Sequence, residues 1–178
     1  MFKLYSHIFL TTPFLFFLLS ISSAVKAQNY EPWTGAVVGA RIDFASDDTI
    51  NAIRNLINEG DTSGAVREAT KLVTSLAQSE RAGEKSNYRY DAYNALCVSL
   101  TANKEYEKAM DACNEAIQQS PKRWQAYNSR GSLNYKTENF EQALADYKSA
   151  FSRASDIPRI KKILEHNIKI AEVRSTGK

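Results

Sequence analysis

YDAYNALCVSLTANKEYEKAMDACNEAIQQSPKR, residues 90–123, is followed directly by WQAYNSRGSLNYKTENFEQALADYKSAFSRASDI, residues 124–157, and the two are versions of one 34-residue pattern. At that offset Tyr93 falls on Tyr127, Tyr106 on Phe140, Ala109 on Ala143 and Ala116 on Ala150. The helix-breaking junctions also correspond, near Asn103 and near Glu138. Each copy therefore predicts two antiparallel helices joined by a tight turn. A supersecondary unit repeated at this period cannot bury its apolar face alone, so neighbouring units must stack. The alanines stand where paired helices approach closely, and Tyr106 and Phe140 fill the space near the turns. Tyr93, Leu96, Leu100, Tyr127 and Tyr147 supply the bulk of the buried area.

Such a stack exposes apolar surface at its ends, at about 25 cal/mol for each Å² left uncovered. C-terminal to the second copy, Ile160, Ile163, Leu164, Ile168 and Ala171 share one helical face, with Asp156 as a cap and Pro158 in the first turn. This segment predicts a capping helix. On the N-terminal side, Ser46, Asp47 and Asp48 suit a helix start, and Ile50, Ile53 and Ile57 form an apolar stripe that Gly60 ends. Ala65, Ala69, Leu72, Val73 and Leu76 form a second stripe, and Gln78–Asn87 reads as a polar turn. Residues 46–87 thus predict a further, degenerate hairpin. Residues 28–45 fit neither helical nor strand period, yet hold Trp33, Val37, Val38, Ile42 and Phe44. They read as an extended arm laid against the helical body or as a flexible leader, the five apolar residues favouring the docked arm, and Trp33 is the candidate anchor should the arm bind a partner.

The extreme N-terminus has another character. Ile8–Ile21, IFLTTPFLFFLLSI, is apolar and uncharged; Lys3 precedes it, and Val25-Lys26-Ala27 follows it. That is the layout of a secretory signal peptide, with cleavage expected after Ala27. The alternative is an uncleaved anchor, although Pro13 interrupts the run and it falls short of the roughly 20 residues of a span. Both readings put the remainder outside the cytoplasm, in the periplasm or secreted.

Removing residues 1–27 leaves 151 of the 178 residues, a size suited to one modest domain. It also removes Lys3 and Lys26, so the balance becomes 21 bases against 20 acids. A formal charge of +1 gives no electrostatic footprint for nucleic acid. His166 would be the one remaining histidine, which argues against a histidine-based metal site. No Gly-rich phosphate loop or metal-ligand spacing is present, and no cofactor is implied. Glu105, Glu107 and Asp111 lie on one helix, a pattern that ordinary surface charge explains; a small enzyme is the weakest reading. Charge is uneven along the chain: residues 28–63 carry 2 bases and 6 acids, residues 158–178 carry 6 bases and 2 acids.

The two copies resemble the tetratricopeptide repeat family. The matching residues are Tyr93, Leu96, Cys97, Tyr106, Ala109, Ala116 and Pro121 in the first, and Tyr127, Gly131, Tyr135, Phe140, Ala143, Tyr147 and Ala150 in the second. The resemblance covers residues 90–157, with 158–174 similar to the family's capping helix. It implies an all-α, right-handed superhelical stack of antiparallel hairpins whose inner groove binds a protein or peptide. By register, the groove would present Asp91, Asn94, Val98 and Thr101 from the first copy, and Gln125, Asn128, Ser132, Tyr135 and Lys136 from the second. Some members grip a C-terminal carboxylate with a basic clamp; Asn94, Val98 and Asn128 here depart from that set.

In the same register Cys97 lies on a first helix and Cys113 on a second, at similar distances from the turn near Asn103–Glu105. Antiparallel helices bring such positions side by side, and Gly131 and Tyr147 stand at the matching places of the next copy. In an exported protein this favours an intramolecular disulfide. The alternative is two inert buried thiols; no CxxC motif suggests a catalytic one. The functional expectation is a non-enzymatic interaction scaffold or adaptor in a bacterial envelope. The alternative binding mode is a stabilising subunit docking through its arm or outer helical face.

Overall fold

The computed structural model describes residues 47–83, 86–154 and 157–177. The leader 1–27, the arm 28–45 with Trp33, and the capping positions Ser46 and Asp156 lie outside the described residues. The described chain is all-α. Its helices are α1 (Asp47–Glu59), α2 (Thr62–Arg81), α3 (Arg89–Ala102), α4 (Tyr106–Gln119), α5 (Trp124–Lys136), α6 (Phe140–Arg153) and α7 (Pro158–Ser175).

Local chemistry sets the boundaries. Gly60 adopts φ +85°, which ends α1 at no steric cost. Asp61 then caps α2, its carboxylate accepting from the Gly64 amide at 2.8 Å. The α2 helix runs through Arg81, into the stretch whose polarity reads as a turn. Nothing from Gln78 to Arg81 breaks a helix, and Glu80 is held from outside by Arg89 at 2.6 Å. Gly83, at φ +89°, is the first residue suited to the left-handed region.

The turns inside the two repeats are built alike. Lys104 and Glu138, 34 residues apart, both take positive φ, 63° and 62°. After α3, the Glu105 amide donates to the Leu100 carbonyl and the Lys104 amide to Thr101; after α5, Asn139 donates to Asn134 and Glu138 to Tyr135. This double hydrogen bond is the Schellman closure, which satisfies carbonyls that a helix end would otherwise orphan. In both places a residue with a side chain occupies the position that favours glycine.

The helices pack in sequence order, each against the next. Alternate helices α1, α3 and α5 also touch one another, forming an inner layer. No comparable contact joins α2 to α4 or α4 to α6, so the second helices stand apart over that layer. The chain is therefore a series of stacked helical hairpins, a helical-repeat fold. Ala109, Ala116, Ala143 and Ala150 are all fully buried, as close helix approach requires. The α7 helix closes the C-terminal edge by burying Ile160, Ile163, Leu164 and Ala171. Among the described residues no helix is long and apolar enough to cross a membrane.

One locus is solved differently in the two repeats. In the first, Cys97 and Cys113 form a disulfide with Cα atoms 4.9 Å apart, both fully buried. The bridge ties α3 to α4 near the middle of each helix. At the matching place in the second, Gly131 faces Tyr147. A Cβ on Gly131 would lie 2.7 Å from two carbons of the Tyr147 ring. Glycine therefore lets the tyrosine ring fill the space that the disulfide fills one repeat earlier.

Candidate functional site

Two surfaces arise from this architecture: the inner layer and the clefts between the second helices. On the inner layer the nine expected groove residues have distinct surroundings. Asp91 is half-buried and receives both Arg123 nitrogens, at 3.0 and 2.8 Å. The Arg123 guanidinium lies 3.7 Å from the centroid of the Tyr90 ring. The Tyr90 hydroxyl accepts from the Ala126 amide at 3.0 Å and approaches Gln125 Oε1 at 3.4 Å. This ladder welds α3 to the start of α5. Burial pushes the Tyr90 phenol far above its ordinary range.

Val98, Thr101, Asn128 and Ser132 are buried. Thr101 donates to the Cys97 carbonyl at 2.7 Å. Asn128 Oδ1 accepts from Asn167 of α7 at 2.8 Å, a contact between two fully enclosed amides. Ser132 donates to the Asn128 carbonyl at 3.0 Å and accepts from the Tyr147 hydroxyl at 3.2 Å. Asn94, Gln125, Tyr135 and Lys136 are half-buried, and anything touching this face meets them first. Tyr135 packs against the Ala143, Tyr147 and Ala171 cluster and meets Phe140 edge-on at 5.3 Å. Asn94 Oδ1 is enclosed without a hydrogen-bond donor.

On the outer side, the space between α4 and α6 is closed by the chain itself. Arg130 of α5 reaches out to Asn114 of α4 at 2.8 Å and grips Asp146 of α6 with two nitrogens, at 3.0 and 2.7 Å. Asn134 adds a third donor to Asp146 at 2.9 Å. The Asp146 partnership holds Arg130 above its usual pKa. Arg130 resembles a surface charge in the sequence; its bridging role depends on the flanking helices standing apart.

The corresponding space between α2 and α4 is open. It forms a cleft of about 490 Å³ over α3, lined by Val66, Tyr93, Leu96, Leu100 and Ala112, with Thr70, Glu105, Lys108, Asp111 and Glu115 around them. At Glu115, one of these residues, Arg89 of α3 joins the flanking helices, binding Glu80 of α2 at 2.6 Å and Glu115 of α4 at 3.3 Å. Lys108 lies 2.7 Å from Glu105 and, with Asn103, holds that carboxyl below its usual range. None of the cleft's apolar residues was an expected site residue, because apolar residues in a repeat register read as core. Among the described residues no three His, Cys, Asp or Glu side chains converge in a way that could hold a metal ion. No protein-family model matches the sequence, and comparison with curated proteins gives no match.

Proposed function

We propose that this chain is a short right-handed tetratricopeptide-type repeat that works outside the cytoplasm as a non-enzymatic interaction module, holding a segment of a partner protein. The observation that carries the reading is the contrast between a cross-braced scaffold and an open cleft. The Cys97–Cys113 bridge ties the two helices of the first repeat together, and the Asp91–Arg123 pair and the Asn128–Asn167 contact fix successive units relative to one another. Among the described residues, the space between α2 and α4 stays unfilled and is floored by apolar side chains. A preorganised surface loses little conformational entropy when it binds, which favours this use. The family resemblance points to the inner face as well, where Asn94, Gln125, Tyr135 and Lys136 stand half-buried.

The test is affinity capture with the full chain from envelope extracts, followed by reconstitution with the purified partner and hydrogen exchange on the complex. The expected result is a saturable complex of fixed stoichiometry, with slowed exchange on α3 and its neighbours. Failure to obtain any saturable complex with a captured protein would overturn the reading.

A further inference from the structure

We propose that the outer cleft between α2 and α4 docks an apolar segment of a protein partner that carries a Lys or Arg beside its anchoring side chain. This rests on the reading of the chain as an interaction module. The chain contains a filled version of the same cleft. One repeat later, Arg130 occupies the position of Leu96 and joins the flanking helices through Asn114 and Asp146. In the first repeat three of the four parts of that closure are replaced by apolar residues: Leu96 for Arg130, Leu100 for Asn134, Ala112 for Asp146. In the first repeat the link between the flanking helices lies instead at Arg89, which binds Glu80 of α2 and Glu115 of α4, and among the described residues the apolar floor at Leu96 and Leu100 remains open. Covering such a floor is favourable in proportion to the apolar area withdrawn from water.

The rim specifies the charge of the occupant. Three carboxylates, Glu105, Asp111 and Glu115, line the cleft with the ammonium of Lys108, and Glu115 is held by Arg89 at 3.3 Å, so Asp111 carries the rim's unbalanced negative charge. Lys108 is already paired with Glu105 at 2.7 Å. Asp111 is exposed and, among the described residues, pairs with no cation. An incoming Lys or Arg would lay its aliphatic stem on the apolar floor and keep its charged head in water beside Asp111. An acidic segment would meet like charge at the same rim.

The experiment follows backbone amide resonances of the isotope-labelled full chain on titration with three capped synthetic peptides. One alternates Leu with Lys, one has Glu in place of Lys, and one has Ser in place of Leu. The expected result is saturable shifts at Val66, Thr70, Leu96 and Ala112 with the first peptide alone. Asp111→Lys should weaken that binding by about tenfold, the scale of one lost charge contact. Thr70→Trp, which lays an indole across the cleft from an exposed position, should abolish it while leaving the thermal midpoint unchanged. Saturable shifts confined to Asn94, Gln125 and Tyr135 would overturn the outer-cleft assignment and leave the interaction reading standing. So would a concentration-dependent dimer that Thr70→Trp dissolves, because the occupant would then be a second copy of the chain. Equal binding of all three peptides, or binding of none, would also overturn it.

Discussion

Gly131→Ala is a small change at a place where the second repeat has no room for a side chain. The added Cβ would stand 2.7 Å from Cδ1 and Cε1 of Tyr147 and 3.2 Å from Cζ. Carbon pairs settle at about 3.5–4.0 Å, so the ring must retreat by about 1 Å. Tyr147 is fully buried and its hydroxyl is held by Ser132 at 3.2 Å, so retreat strains the core and loosens that bond. Overpacking costs about 1–3 kcal/mol. A weakened hydrogen bond adds about 1 kcal/mol. Replacing a helical glycine with alanine returns about 1 kcal/mol of helix propensity. The net expectation is a loss of about 2 kcal/mol, or a fall of about 4–8 °C in thermal midpoint for a chain of this size. The assay is urea unfolding followed by circular dichroism, in the wild-type background and with Tyr147→Leu. In the leucine background Gly131→Ala should be neutral or stabilising, because the obstacle is gone and the propensity gain remains. A neutral Gly131→Ala in the wild-type background would refute the packing argument, as would equal losses in both backgrounds.

Replacing both Cys97 and Cys113 with Ala should cost about 3 kcal/mol by the loop-entropy argument, read as a lower urea midpoint than the oxidised wild type. Arg130→Leu should destabilise by about 2–3 kcal/mol, because Asp146 is left buried without its cation; Arg130→Leu combined with Asp146→Ala and Asn134→Leu, the residues of the first repeat, should recover most of that loss in the same assay. Lys104→Gly and Glu138→Gly should each be neutral to stabilising by about 1 kcal/mol, whereas Lys104→Val should destabilise by about 1–2 kcal/mol, since both positions have positive φ. Tyr90 and Tyr147 have phenols raised by burial, so their contribution is fully present below the unfolded value and is lost as pH rises past it. Stability should therefore fall above about pH 10, and ultraviolet titration should show two phenols that ionise only with unfolding.

The hairpin stack was legible because close helix packing restricts residue choice. Ala109 and Ala143, or Ala116 and Ala150, recur at 34 residues since larger side chains would hold the helices apart. The Cys97–Cys113 bridge was legible for a related reason, as equal distance from a turn places two positions opposite one another. The surface chemistry was far less legible. Arg130 and Asp146 are 16 residues apart in a charged region, and nothing in their spacing marks them as the closure of a cleft. Their role depends on the second helices standing apart, which is a property of the assembled layer. Leu96 and Leu100 read as core for the same reason, although they also floor an open cleft. The enclosure of Asn128 by Asn167 depends on the rotation of α7, which an apolar stripe fixes only to within a residue or so. The end of α2 was obscured because Gln78–Arg81 is polar, and polarity on an exposed helix end resembles a turn.

The claim that the chain is an interaction module is tested most directly in living cells, by photo-crosslinking from a benzophenone side chain. It would be placed at Thr70 beside the outer cleft, at Gln125 on the inner face, or at the exposed Lys148 of α6 as a control. The account predicts a discrete heterologous protein adduct from Thr70 that is absent from Lys148. An adduct from Gln125 alone would retain the module and move its site to the inner face. No discrete adduct from either Thr70 or Gln125, in cells that accumulate the protein normally, would contradict the account.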